Sequence, residues 1–376
     1  MFVGFNIGGS STGVSFGPAV GSGVVTKLVA AGLMTAFALL GGWTVGRNVI
    51  QTMGGEIVPR TMFTIEASVA VLFFVGLSLL ISNTFGVPAS TSMTAVGAIA
   101  GLGVASGTLD WAVMGQIVIW WLVAPVAAFW VSAVIGRYFY PYLEAWFGIE
   151  ESDGPLVTVD RSGVIPVPRP HHTTTRRELV SAFFVVVIGC YMAFSAGASN
   201  TANAVAPLVG SGQLDIDIGI LVAGGAIGLG AFTIARRTLD TVGNDLTDLP
   251  LLAALIVEVV AASLITFLSA IGIPASLAVS ATMSIVGLGW GRATRTIKVS
   301  EAVRGEGETR VSVGALAADK PDEVPKMGEE DVDELIARDL FDPSTTARVV
   351  FLWVLTPSLS AAGAYLLFWL LPLYTW

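Results

Sequence analysis

Residues 194–212 read FSAGASNTANAVAPLVGSG, and residues 5–23 read FNIGGSSTGVSFGPAVGSG. The two stretches align without a gap. Phe5 meets Phe194, Gly8 meets Gly197, Ser10 meets Ser199, Thr12 meets Thr201, Pro18 meets Pro207, and Gly21-Ser22-Gly23 meets Gly210-Ser211-Gly212. So dense a match marks a duplicated element. Both copies lie in apolar surroundings yet are full of small and polar residues. Gly197 and Pro207 weaken a helix, and Ser199, Asn200, Thr201 and Asn203 need hydrogen-bond partners at membrane depth. The motif is therefore expected to interrupt its helix.

The duplication extends further along the chain. Arg47-x4-Thr52-Met53-Gly54 returns as Arg236-x4-Thr241-Val242-Gly243. Gly86-Val87-Pro88-Ala89-Ser90 returns as Gly272-Ile273-Pro274-Ala275-Ser276, and Gly101-Leu102-Gly103 as Gly287-Leu288-Gly289. Apolar segments fall near 2–20, 28–46, 62–81, 87–107 and 111–135 in the first half. In the second they fall near 179–209, 218–235, 249–270, 273–291 and 348–373. Five segments per half return the second copy to the membrane from the opposite side, which makes the repeat an inverted one. The expected fold is an all-α polytopic membrane protein with about ten apolar segments in two inverted-topology repeats. Broken or re-entrant helices are expected among the first, fourth, sixth and ninth segments.

Composition agrees. Of 376 residues, 54% are hydrophobic and 12% charged, with mean hydropathy +0.77; soluble domains carry about 25% charged residues. Alternate counting gives one face Lys27, the loop 136–178, Arg236, Arg237 and the loop 292–347, and leaves the other little beyond Arg47 and Arg60. The positive-inside rule then places both termini outside a cell (plasma) membrane, with the lipid bilayer as solvent. Residues 1–147 form the first repeat, 148–178 a cytoplasmic linker, 179–291 the second repeat, 292–347 an acidic cytoplasmic insertion and 348–376 the last helix. The full apolar lead 179–194 has no counterpart before Phe5, so either the natural chain begins upstream or the first helix is short. Cys190 lies in an apolar run and is expected to pack. His171-His172 reads as part of a solvated linker rather than a metal site. The net charge of −9 suggests a salt-adapted acidic surface and argues against nucleic-acid binding.

The candidate chemistry lies in polar residues at repeat-related places. Pro88-Ala89-Ser90-Thr91-Ser92 reads as a helix start whose free amides and three hydroxyls would hold an anion; Pro274-Ala275-Ser276 repeats its backbone, with Leu277 and Ala278 in place of the further hydroxyls. The paired motifs add Ser10, Ser11, Thr12 and Ser15 against Ser199, Asn200, Thr201 and Asn203, all neutral. Glu66 and Glu258, at roughly equivalent repeat positions, are candidates for an ion relay or for a satisfied interhelical contact. The tryptophans read mostly as interfacial anchors. No catalytic triad, metal cluster, nucleotide-binding loop or dinucleotide fingerprint appears in the sequence, so nothing in it reads as an enzyme and no cofactor is expected.

At these residues the chain resembles the inorganic phosphate transporter (PiT) family, whose halves each carry a GANDxANA motif and a later P-x-S-T-T motif. The matching stretches are Gly8-Gly9-Ser10-Ser11-Thr12-Gly13-Val14-Ser15 and Gly197-Ala198-Ser199-Asn200-Thr201-Ala202-Asn203-Ala204. The resemblance implies inverted repeats, a homodimer, and uptake of an inorganic oxyanion coupled to Na+ or H+. The departures bear on substrate. The family's aspartate is Ser11 in one half and Asn200 in the other, its second asparagine is Val14 and Asn203, and the second serine/threonine motif keeps only Ser276. A carboxylate suits protonated phosphate because it accepts that proton's hydrogen bond; beside unprotonated sulfate it would repel. The same substitutions remove cation ligands, which counts against sodium coupling. The first motif is closer to the sulfate permease branch. The expected function is thus a secondary permease for phosphate or sulfate, sulfate being favoured. Its site would be Ser10, Ser11, Thr12, Ser90, Thr91, Ser92, Ser199, Asn200, Thr201, Asn203 and Ser276. An anion-selective channel and a non-transporting receptor signalling through 292–347 are the alternatives.

Overall fold

A computed structural model describes residues 1–84, 90–147, 157–160, 167–170, 176–235, 249–296 and 343–374. The described residues are almost entirely helical. The first half runs α1 (Phe2–Gly21), α2 (Lys27–Thr44), the short α3 (Gly46–Gln51), α4 (Ile65–Thr84), α5 (Thr91–Ser106), α6 (Trp111–Val134) and α7 (Tyr140–Trp146). The second runs α8 (Arg176–Gly210), α9 (Ile216–Thr233), α10 (Leu251–Ala270), α11 (Leu277–Ala293) and α12 (Pro343–Leu370). Among the described residues six of these are long and apolar enough to cross a membrane, with α4 and α5 as shorter apolar helices. Between α7 and α8, β1 (Val157–Asp160) and β2 (Val167–Pro170) pair antiparallel, giving part of the 148–178 linker a hairpin. The pair His171-His172, Pro88-Ala89, Arg236 and the acidic run in 292–347 fall outside the described residues.

Helix ends follow local chemistry. Thr26, Ser90, Asp110, Asp215 and Ser276 cap α2, α5, α6, α9 and α11 with side-chain oxygens that accept early backbone N–H groups. Gly23 and Gly212, equivalent in the repeat, close the turns after α1 and α8 at φ +70° and +72°, where a Cβ would be strained.

The halves do not fold side by side; they exchange. The most extensive helix contacts are α2 on α8, α1 on α9, α5 on α12 and α11 on α6, each joining one half to the other. Glycines make this approach possible, and they do so in repeat-related pairs. A Cβ on Gly8 would run into the carbonyl of Ile227, and one on Gly197 into the carbonyl of Ala38. Gly41 meets the Phe194 carbonyl, and Gly230 meets that of Phe5. On the other side of the molecule Gly97 and Gly101 meet Pro357 and Ala361, while Gly287 and Gly291 meet Phe129 and Ala133. Without a hydrophobic drive between helices in lipid, such close backbone contact is a main source of association.

Three expectations are corrected. The repeated motif does not interrupt its helix: α8 runs 35 residues through Gly197 and Pro207, and α1 runs 20 through Pro18. Gly197 serves the contact with α2. Thr201 Oγ1 donates to the Gly197 carbonyl (2.7 Å) and Thr12 Oγ1 to the Gly8 carbonyl (2.6 Å), so these hydroxyls are satisfied along the helix. The Pro207 carbonyl accepts from Ser68 Oγ at 3.0 Å. The helical run is interrupted instead between α10 and α11, at residues 271–276. Second, proline is not in the first helical turn of α11. Ser276 is the N-cap and Pro274 precedes it by two residues, its carbonyl accepting from Trp121 Nε1 at 2.8 Å. Third, Glu66 and Glu258 are not equivalent. Glu66 is exposed in the first turn of α4, while Glu258 is 5% exposed in the middle of α10. Cys190 is buried and free, as its apolar setting implied.

Candidate functional site

The helix starts of α5 and α11 point into one place. Ser90 Oγ accepts from Met93 N and Ser276 Oγ from Val279 N, both at 3.3 Å. That leaves the first two amides of each helix, Thr91 and Ser92, Leu277 and Ala278, with no intrahelical acceptor. These residues line a cavity of about 100 Å³ together with Asn6, Ile7, Ser10, Ser11 and Val14 of α1, Leu79 of α4, Asn200 of α8 and Ser276. At about 30 Å³ per water, that volume holds an ion of a few heavy atoms. No charged side chain lines it. The electrostatic field is that of two helix N-termini, each equivalent to roughly half a positive charge. The cavity can therefore attract and hold an anion with neutral donors.

Behind the lining lies a hydrogen-bonded layer. Ser199 Oγ donates to the Ala275 carbonyl (2.9 Å) and lies 3.2 Å from Ser92 Oγ. Asn203 Nδ2 donates to Ser92 Oγ and to Asn200 Oδ1, both at 3.1 Å. Since Ser199 has spent its proton on Ala275, Ser92 donates to Ser199 and accepts from Asn203. Asn200 uses Oδ1 here, so its two amide protons remain for the cavity. This network joins α8 to the starts of both α5 and α11.

Of the eleven residues the sequence pointed to, Ser10, Ser11, Thr91, Ser92, Asn200 and Ser276 line the cavity. Ser199 and Asn203 are buried in the layer behind it. Thr12 and Thr201 bond their own helices, and Ser90 caps α5 at 1% exposure. Glu66 and Glu258 are not among the lining residues. Sequence reasoning missed Asn6, whose signal was its four-residue spacing from Ser10 on α1. It also missed Trp121, which holds the Pro274 carbonyl and so places the start of α11. Among the described residues no cluster of His, Cys, Asp and Glu could hold a metal ion.

Residues 7–364 match the phosphate transporter family, PHO4. The chain belongs to that family. It is a multi-pass membrane transporter, in agreement with the swapped helical halves. The sulfate permease CysP of Bacillus subtilis is 31% identical over 290 residues, 77% of this chain and 75% of that one. A protein of Pyrococcus horikoshii that carries a phosphate permease name is 23% identical over 354 residues, 78% of this chain and 87% of its own length. A solved structure, the sodium-dependent phosphate transporter, superposes with a TM-score of 0.67 over 99% of this chain and 96% of that one, at 19% identity. At that identity the likeness concerns the fold.

Proposed function

We propose that the protein is a secondary active permease of the cell membrane for a tetrahedral inorganic oxyanion, with sulfate its preferred cargo. One observation carries the choice of cargo: the cavity has Asn200 and Ser11 where the family's phosphate carriers have aspartates, and no carboxylate lines it. Sulfate at neutral pH is fully ionised and has no proton to donate. It is best bound by N–H and O–H groups alone, which Asn200, Thr91, Ser92, Ser11 and the helix-start amides supply. Monohydrogen phosphate would leave its own proton without a strong acceptor here, at a cost of about 1–3 kcal/mol. The similarity to a sulfate permease agrees with this reading. The two halves, a homodimer and a coupling cation belong to the same proposal, the halves rocking about the cavity to alternate access.

The test is uptake of labelled sulfate and phosphate into proteoliposomes, alone and in competition. Sulfate uptake should be saturable and only weakly inhibited by excess phosphate. Preference for phosphate would overturn the cargo assignment, and passive equilibration without accumulation under any gradient would make the protein a channel.

A further inference from the structure

Outside the cavity, one group stands apart from the rest of the membrane interior. Glu258 is the only acidic residue on α10 and is 95% buried. Among the described residues it makes no hydrogen bond or ion pair. The elements packed against α10 bring little charge to it. They are α8, α11, α6, α3 and α1. Neither α1 nor α6 carries a charged residue; within the apolar part of α8 the titratable groups are Cys190 and Tyr191. Arg47 on α3 is committed to Asp217, and Arg292 lies in the last turn of α11. Tyr140 joins the apolar cluster on α10 that includes Val257 and Leu288. Burying a carboxylate without a partner is costly, and an intramembrane acid so placed is a default candidate for handling protons or ions.

Glu258 is also mechanically connected to the cavity. One helical turn beyond it, the Ala262 carbonyl accepts from Ser195 Oγ at 3.0 Å. One turn further along α8, Ser199 Oγ holds the Ala275 carbonyl in the loop that leads from α10 into the start of α11. The α8–α10 contact one turn from Glu258 therefore continues into the contact that shapes the cavity, and Ser269, its hydroxyl buried and without a partner, lies on the same face of α10 as Glu258. A shift of α11 on anion binding would therefore act on the α8–α10 contact next to Glu258.

Resting on the permease reading above, we propose that Glu258 is the proton-binding site of this transporter, taking up one proton per cycle with the anion and releasing it on the other side. The step is a single O–H bond formed on a carboxylate oxygen and later broken, with the proton drawn from and returned to water.

The full chain in proteoliposomes separates this from failure of the permease reading. Sulfate–sulfate counterflow without gradients reports transport alone; uptake under an imposed inward proton gradient reports coupling. Wild-type protein should show both. Glu258→Gln, which mimics the protonated form, should keep counterflow and lose the response to the gradient and the pH dependence of uptake. A gradient response retained in Glu258→Gln, or absent in wild-type protein that still exchanges sulfate, overturns the proposal. No counterflow of sulfate or phosphate in wild type overturns the permease reading instead. Should Glu258→Gln lose counterflow too, Glu258→Asp decides. Gradient-driven uptake with a displaced pH profile supports the proposal, and inactivity of both variants reduces Glu258 to a packing role and ends it.

Discussion

The two halves of this transporter share a scaffold and differ in what they bring to the cavity. The scaffold is repeated residue for residue: Gly8 against Ile227 has its image in Gly197 against Ala38, and Ser90 capping α5 has its image in Ser276 capping α11. The lining is not repeated. Thr91 and Ser92 of the first half are answered by Leu277 and Ala278 in the second, and Asn200 of the second half by Ser11 in the first. Matching helix crossings are what the proposed rocking of the two halves between the same two arrangements requires. The cargo meets both halves at once, so each donor needs to be supplied only once.

The largest expected effect tests the shared part. Gly8→Ala or Gly197→Ala places a methyl group inside a backbone carbonyl of the partner half, with no flexible side chain able to yield. Both crossings must spread, at a cost of about 1–3 kcal/mol or more each. Both variants should lose most of their folded yield and lower the unfolding midpoint by similar amounts, as measured by thermal unfolding in detergent. Gly225→Ala, in open space on α9, should be neutral or stabilising by up to about 1 kcal/mol because alanine is the better helix former. If Gly197→Ala were tolerated and Gly8→Ala were not, the halves would not be mechanically equivalent.

Next in size is the contrast at the cargo. Asn200→Asp restores a carboxylate at the family position and sets it against a dianion. A unit charge pair 4 Å apart at an effective dielectric of 20 is worth roughly 4 kcal/mol. Sulfate uptake should fall by at least about tenfold, since 1.4 kcal/mol is one decade, and phosphate should compete better than in wild type. Unchanged discrimination would take Asn200 out of the specificity argument.

A smaller effect addresses the unequal helix starts. Ser92→Ala removes a hydroxyl that accepts from Asn203 and meets Ser199, and leaves buried groups unpaired at about 1–3 kcal/mol. Ala278→Ser adds the repeat-equivalent hydroxyl to α11 with nothing lost behind it, and should lower the sulfate KM by about two- to threefold, the worth of one net hydrogen bond near 0.5 kcal/mol. Labelled-sulfate kinetics on both variants read the two effects directly. Equal and opposite changes would mean that the layer of Ser199 and Asn203 contributes nothing.

Most of this architecture was legible in the sequence because duplication leaves the same residues at the same spacing, and spacing survives folding. The all-helical membrane fold and the pairing of 5–23 with 194–212 could be read that way, and the cavity then brings the Ser90 and Ser276 helix starts together. The continuity of α1 and α8 could not. Gly197 looks like a break until the partner is known, because the glycine admits the α2 backbone. Thr12 and Thr201 were assigned to the cavity by type, yet a threonine in a helix can satisfy itself on the preceding turn. Whether it does so depends on which face the partner half covers. Trp121 acts across the exchanged halves, at a position that no local pattern singles out.

The smallest effect belongs to a contact between the halves whose carboxylate has no image in the repeat. Arg47 Nη2 pairs with Asp217 in the first turn of α9, and the guanidinium lies 4.8 Å from the Trp43 ring centroid. The repeat position of Asp217 is Leu28, so the first half supplies no carboxylate there. The side chains are 29% and 51% exposed, and an ion pair so placed is worth about 0–1 kcal/mol and weakens with salt. Asp217→Asn should shift the unfolding midpoint in detergent by no more than a few degrees at low ionic strength, and the difference from wild type should shrink further in high salt. Transport should be unaffected in magnitude, because neither residue lines the cavity. A large loss of sulfate uptake in Asp217→Asn with stability intact would give this unrepeated pair a role in setting which side the cavity faces. The asymmetry between the halves would then extend from the lining to the scaffold.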